Sequence, residues 1–442
     1  MTTTKNNEHK KLNFSSEREQ GQACLNSAEH EKNQGRKVLN VPNLRFPEFQ
    51  GEWEKCKLGN IANITGGYAF KSDTLNSIGG KYQVVKMGNL YQNQLDLHRS
   101  PSYTDTLTRK AENVILRKDD IAITLTGTNN KKDFGYTYIF NDEKNLLLNQ
   151  RCGLIRAKGN PYFLSCLLKT HTFLNQFFES ATGGTGNQAN VSTKAMEMFS
   201  VNTPSLKEQE KIGQLMALLD ERIATQNKII DKLQSLIKGL NDSLYAQYGD
   251  KVLTSFAELG TSYSGLSGKS AQDFGSGKPF ITYLNVYSNN VINENDFQYV
   301  AIKNGEKQNI VEYGDVLFTL SSETPEEVGI GSVYLGKEKV YLNSFCFGIH
   351  ITNMEVAFPP YLSYYVSSTA FRKFIYPYAQ GSTRFNLCKA DFEKASIKLP
   401  TLENQKRIYS ILSHIDSKIE TEIQMLNLYN SQKQYLLRQM FI

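Results

Sequence analysis

The chain repeats itself at an interval of about 196 residues. Pro204-Ser205-Leu206-Lys207-Glu208-Gln209-Glu210-Lys211-Ile212 returns as Pro400-Thr401-Leu402-Glu403-Asn404-Gln405-Lys406-Arg407-Ile408. Leu219-Asp220-Glu221-Arg222-Ile223 is answered by Ile415-Asp416-Ser417-Lys418-Ile419. So long a period excludes a solenoid of short stacked units; it implies two copies of one domain, each followed by a helix. The 442 residues are enough for each copy to bury a core of its own.

The repeated block opens a helix. Ser205-x-x-Glu208 behind Pro204 is a capping-box signature. Apolar residues then follow at steps of four and three: Ile212, Met216, Leu219, Ile223, Ile230, Leu233, Ile237, Leu240 and Leu244. The second copy gives Ile408, Leu412, Ile415, Ile419, Leu426, Tyr429, Leu436 and Met440. This is a heptad seam over about 30–40 residues, roughly 50–60 Å long, and predicts that the two helices pack as a coiled coil. Gln226 and Glu422 fall at the same seam position and either fix the register or sit at a local widening. A second apolar line, Leu215/Ile411 and Ile229/Met425, runs beside the seam and predicts either a docking surface for another protein or packing against the heads.

The segments between the helices are β-rich runs broken by Gly and Asn, each with a helical stretch. In the first they include Tyr82–Lys86 and Asp120–Leu125, then a helix over Tyr162–Phe178; in the second, Phe280–Leu284 and Asp315–Leu320, then a helix over Pro360–Phe374. Leu148-Asn149-Gln150-Arg151-Cys152 parallels Leu342-Asn343-Ser344-Phe345-Cys346. The fold class is therefore α+β, with two mixed α/β heads. The expected divisions are a disordered tail over 1–40, a first head over 41–203, a first spacer helix over 204–249, a second head over 250–399 and a second spacer helix over 400–442. The tail follows from its Lys, Glu, Asn, Gln and Ser content, which leaves too little apolar surface to offset ordering.

Charge is unevenly spread. Residues 39–203 carry 19 basic and 14 acidic groups, whereas 249–399 carry 13 and 15, so a phosphate footprint is expected on the first head more than the second. No apolar run reaches the ~18 residues of a membrane span, and the amino terminus has no continuous apolar stretch of the secretory kind. The six cysteines lack C-x-x-C spacing and read as reduced thiols of a cytoplasmic protein.

Motifs that resemble catalytic ones fail on their chemistry. Phe358-Pro359-Pro360-Tyr361 has no side-chain acceptor where an amino-methyltransferase loop needs one, and reads as a helix start. Gly268-Lys269-Ser270 lacks the first glycine of a phosphate loop, since that position is Tyr263. Gly183-Gly184-Thr185-Gly186 reads as a flexible loop, and the six histidines show no paired metal-ligand spacing. No catalytic residue, metal or cofactor is expected in this chain.

The chain resembles the specificity subunits of type I restriction–modification systems. The resemblance lies in Pro42-x-Leu44-Arg45-Phe46-Pro47-Glu48-Phe49 with Trp53 and Leu58-Gly59-x-Ile61, in the two Pro-Ser/Thr-Leu-x-x-Gln-x-Lys/Arg-Ile blocks, and in the loops before them, Gly184-Thr185…Asn190-Val191 and Gly381-Ser382-Thr383-Arg384-Phe385-Asn386-Leu387. It covers about residues 41–442 and implies a non-enzymatic DNA reader. Each head would be a target recognition domain reading one half of a split, asymmetric sequence in double-stranded DNA. The helices would pack as an antiparallel coiled coil, set the gap and bind two modification subunits, which hold S-adenosylmethionine; restriction subunits would add ATP- and Mg-dependent cleavage. The alternatives are a tandem protein- or carbohydrate-binding module joined by a coiled coil, or a stand-alone DNA methyltransferase.

Duplex recognition uses Lys, Arg and hydroxyls on phosphates, and Asn, Gln, Arg or Ser on base edges. Loops after strands supply Lys86, Asn89, Thr126, Thr128, Asn129, Asn130, Lys131 and Lys132 in the first head, and Tyr283, Asn285, Tyr287, Ser321, Ser322 and Thr324 in the second. The small-residue loops add Thr185, Asn187 and Gln188, and Ser382, Thr383 and Arg384.

Overall fold

The computed structural model describes residues 40–128, 130–142, 145–183, 188–248 and 251–442. The tail expected over 1–40 lies outside these residues except at Asn40. The chain forms two compact units: the described residues up to Asp220 together with Ser431–Ile442, and Glu221–Asn430. Both divisions fall inside the long helices.

The two heads share one plan. In the first, an antiparallel sheet runs in the order Ala62–Gly66, Cys152–Ala157, Ile121–Thr124, Thr137–Ile139. In the second the order is Gly260–Ser264, Cys346–Ile351, Val316–Thr319, Gly331–Val333. Ile121–Thr124 and Val316–Thr319 are buried at every position, which is why they read as continuous apolar runs rather than alternating ones. A second sheet places Tyr82–Val85 between Leu146–Leu148 and Tyr103–Thr104, and Phe274–Ile281 between Tyr341–Leu342 and Gln298–Val300. Each head is closed by pairing its first strand with its last: Glu54–Lys57 with Ser200–Thr203, and Lys251–Ser255 with Ser396–Pro400.

The repeat extends to backbone detail. A Cβ on Gly67 would stand 2.1 Å from the Asn149 carbonyl oxygen, and one on Gly265 would stand 2.0 Å from that of Asn343. Only glycine allows this approach in either copy. Asp120 accepts from the Arg117 amide (2.9 Å) and pairs with Arg156 (2.8 Å). Asp315 accepts from the Glu312 amide (2.9 Å) and from the Tyr263 hydroxyl (2.6 Å), and pairs with His350 (2.9 Å). Burial pushes the Asp315 carboxyl above its ordinary value, against those hydrogen bonds.

Three local expectations are corrected. The helical stretch Tyr162–Phe178 is two helices, Pro161–Leu167 and His171–Glu179, because the Thr170 hydroxyl caps a new amino end by accepting from the Phe173 amide at 3.3 Å. Ser368 divides Pro359–Tyr365 from Thr369–Ile375 in the same way, at 3.2 Å from the Phe371 amide. The strand read over Phe280–Leu284 ends at Ile281; Thr282 caps a helix over Tyr283–Ser288.

The long helices span Leu206–Gln247 and Leu402–Gln439, 42 and 38 residues, roughly 60 Å each. They pack antiparallel. In the first unit Asp220 pairs with Lys433; in the second the Arg222 guanidinium lies 5.5 Å over Tyr429 and Gln226 meets Glu422. Every predicted seam residue is buried or half-buried. At the base of each helix a buried glutamine grips the preceding strand: Gln209 donates to the Pro204 carbonyl (3.0 Å), and Gln405 to that of Pro400 (2.8 Å). The capping box forms only in half. Ser205 accepts from the Glu208 amide (3.4 Å), but the buried Glu208 carboxylate is held by Arg45 (2.7 and 2.8 Å) and Trp53. Of the second apolar line, Ile229, Ile411 and Met425 are 38–42% exposed and Leu215 is half-buried.

Candidate nucleic-acid interface

In each head a small sheet, separate from the larger ones, gathers residues distant in sequence; it has two strands in the first head and three in the second, where Ala379–Gln380 also pairs with Phe385–Leu387. Thr126–Gly127 pairs with Ala189–Asn190, Thr126 opposite Asn190. Ser321–Ser322 pairs with Phe385–Leu387, Ser321 opposite Asn386. The two pairs are separated by about one repeat interval. In the first head, the Thr126 hydroxyl donates to Asn190 Oδ1 at 3.0 Å.

This pairing places Gln188 beside the loop after Thr126. Thr128 donates its amide to Asp133 at 2.6 Å and accepts from the amides of Lys131 and Lys132, which makes a tight turn. Gln188, Asn130, Lys131 and Lys132 are exposed, and the Lys132 ammonium lies 5.3 Å over the Phe178 ring. Lys86 is half-buried and directly precedes the short helical turn Met87–Asn89. Asn129, Thr185 and Asn187 lie outside the described residues.

In the second head the three expected groups meet. The Tyr283 hydroxyl donates to the Ser321 carbonyl at 2.8 Å, and its ring stacks on Tyr287 at 6.0 Å. Burial, and then a hydrogen bond with Glu327, push the Tyr287 hydroxyl up to about 12. Ser322 donates to the same Glu327 carboxylate at 3.2 Å. Ser382, Thr383 and Arg384 are exposed, as is Thr324, and the Arg384 guanidinium sits 6.0 Å over Phe345, itself 56% exposed.

Two pairs of candidates are committed elsewhere. Asn89 and Asn285 are each only 2% exposed and stand one repeat interval apart. The Asn89 amide donates to the carbonyls of Asp96 (2.9 Å) and Arg99 (2.7 Å) while its oxygen accepts from Lys86. Asn285 donates to the Asn293 carbonyl (2.9 Å) and accepts from the Asn293 amide (3.0 Å). Both amides pin the loop that follows, which leaves nothing to offer a base. Thr126 and Ser321 are also buried, Thr126 with its hydroxyl bound to Asn190.

The edges differ in charge. Lys131 and Lys132 lie on the first; Glu323, Glu326 and Glu327 accompany Arg384 on the second. Carboxylates repel phosphate and can accept hydrogen bonds from amino groups such as that of cytosine, whereas the ammonium groups of the first edge attract phosphate. Sequence reading missed Asn190, Asn386, Phe345 and Glu327. The first two could have been found from the 196-residue interval alone; the other two carry no local signal.

The sequence profile of the type I restriction modification DNA specificity domain matches residues 50–235 and again 258–428. The chain is 28% identical over 185 residues to the EcoAI type I restriction enzyme specificity subunit of Escherichia coli, covering 41% of this chain and 30% of that one. It is 23% identical over 425 residues to the putative MjaX specificity subunit of Methanocaldococcus jannaschii, covering 87% and 91%. The chain thus spans less than a third of the first relative and nearly all of the second. Among solved structures it is similar to a type I restriction-modification S subunit from M. genitalium, with a TM-score of 0.53 at 15% identity over 91% of this chain and 99% of that one. It is similar also to a chain of a type I R-M system studied for complex assembly and conformational transition, with a TM-score of 0.52 at 16% identity over 87% and 96%.

Proposed function

The chain belongs to the type I restriction modification DNA specificity family, and from this premise we propose that it is the DNA-reading subunit of a type I restriction–modification complex. Each head reads one half of a bipartite, asymmetric site in double-stranded DNA. The paired helices set the gap between the halves and dock two modification subunits along their exposed apolar line, Ile229, Ile411 and Met425. Restriction subunits join the assembled complex, which works in the cytoplasm. S-adenosylmethionine, ATP and Mg are held by those partners, and no chemical step is assigned to this chain.

The observation that carries the reading is the duplicated reading edge. The same strand pair, Thr126/Asn190 and Ser321/Asn386, recurs in both heads with unlike side chains around it. A duplicated scaffold with divergent edges suits a site whose halves differ in sequence. The test is genome-wide mapping of methylated adenine with and without the gene in a host that has the modification subunits. A split adenine-methylated motif should vanish on deletion; an unchanged methylation pattern would refute the reading.

A further inference from the structure

Between equivalent strands the two heads carry different elements on the same support. In the first head, the chain between Tyr82–Val85 and Tyr103–Thr104 forms a hairpin of Leu90–Tyr91 and Gln94–Leu95. In the second, the corresponding chain between Phe274–Ile281 and Gln298–Val300 forms the helix Tyr283–Ser288. Beneath the one lies the buried Asn89, within the other the buried Asn285. A two-stranded ribbon and an α-helix are the two elements that a DNA major groove admits.

The hairpin is held from below and uncommitted above. Tyr91 faces Gln94, so Gln92 and Asn93 form a two-residue turn, with φ of 50° and 62°. Neither is glycine, and such a conformation persists only where neighbours enforce it. They do: Asn93 Oδ1 accepts from the Thr137 amide at 2.8 Å, Asn89 grips the carbonyls of Asp96 and Arg99, and Gln83 donates to the Leu97 carbonyl at 2.7 Å. Above this base, Gln92 and Gln94 are exposed, and no hydrogen-bond partner engages either side-chain amide among the described residues. The exposed Arg99 guanidinium lies 5.8 Å over the Tyr91 ring, whose edge meets Tyr136 at 5.4 Å. Tyr136 ends the chain that leads from the Asn130–Lys132 loop, so the hairpin continues the edge described above.

Resting on the function proposed above, we infer that the Leu90–Leu95 hairpin is the major-groove reading element of the first head. Gln92 and Gln94 present amides to base edges, where a glutamine suits adenine, and Arg99, steadied by Tyr91, contacts the backbone. A preorganised support means that little conformational freedom is lost on binding.

The test uses the full chain with its modification subunits. Methylation is mapped for the unaltered protein and for Gln92→Ala/Gln94→Ala. One half of the motif should become degenerate at one or two positions while the other half and the gap stay fixed. A motif unchanged in both halves, or altered in both, overturns the inference. Absence of any split motif with the unaltered protein would instead sink the functional reading beneath it. Should the double variant methylate nothing, the purified complex is tested on duplexes substituted base by base. Preference at one or two base pairs should fall about tenfold or more, and a preference profile equal to that of the unaltered protein overturns the inference. Arg99→Ala should weaken binding to all sequences and lower the salt slope by about one; an unchanged slope removes Arg99 from the element.

Discussion

Gln226 donates its side-chain amide to both the carboxylate and the main-chain oxygen of Glu422, the latter at 3.1 Å, and the two stand one repeat interval apart. Equivalent residues of the two copies therefore face each other across the antiparallel helix pair, as they must near its local pseudo-twofold. Lys418 also holds the Glu422 carboxylate, and the lysine first and Gln226 second keep that carboxyl below its ordinary value. A polar layer of this kind is satisfied only in one register.

Removing one partner and removing both should thus differ in sign. Gln226→Leu leaves the Glu422 carboxylate facing an apolar side chain and should lower the melting temperature. Gln226→Leu/Glu422→Leu should recover it or exceed it, with looser register. Thermal unfolding followed by helical circular dichroism distinguishes these. Because the Glu422 carboxyl is depressed on folding, its contribution is complete above about pH 4.3 and fades as pH falls through the lowered value.

Asn89 and Asn285 should behave as structural residues. Asn89→Ala leaves the carbonyls of Asp96 and Arg99 without their donor and should cost about 2 kcal/mol. The chain has a single tryptophan, Trp53, buried in the first unit, so denaturant unfolding read by its fluorescence reports on that unit. Asn285→Ala should leave that signal in place while lowering overall stability by a similar amount. Loss of DNA affinity with stability intact would return these residues to the list of base contacts.

These asparagines also show where sequence reading stops. An Asn after a strand looks like a loop reader, and only the fold reveals that the carbonyls of Asp96 or Asn293 come within its reach. The seam was legible because a heptad is a local period, and each of its positions is buried or half-buried. The hairpin at Leu90–Leu95 was not legible, since Gln92-Asn93 lacks the glycine that usually marks such a turn. Tyr283 read as strand because it continues an aromatic and β-branched run, whereas the Thr282 cap decides for helix. Arg45 and Glu208, far apart in the chain, gave no sign that they would pair.

Arg384 is the exposed cation of the second reading edge, among three glutamates. If it holds a phosphate, Arg384→Ala should weaken binding across sequences and reduce the slope of log affinity against log salt by about one. Fluorescence anisotropy on labelled duplexes at several salt concentrations measures this. An affinity equal to that of the unaltered chain at both low and high salt would remove Arg384 from the interface.

The exposed apolar line gives a clean separation of folding from assembly. Ile229, Ile411 and Met425 are about two-fifths exposed, so Glu at each should leave the melting temperature within about 1 °C or 2 °C, in line with the small effect of surface substitutions. Co-purification with the modification subunits should fall sharply, because charge is excluded from the centre of an apolar interface. Full assembly by the triple variant would place the docking surface elsewhere.

An insertion in the helix tests the ruler directly. Adding one four-residue turn between Arg222 and Leu236 lengthens the first helix by about 6 Å, the span of one to two base pairs at ~3.4 Å each. It also moves later seam residues off the heptad, so the helix pair must adjust by a discrete step rather than gradually. The methylated motif should keep both half-sequences and change only in the number of unspecified bases between them. The reading edges, built from Thr126/Asn190 and Ser321/Asn386, lie outside the inserted segment and have no reason to change. A variant that methylates altered half-sequences at the original gap would show that the helices hold no measure of distance.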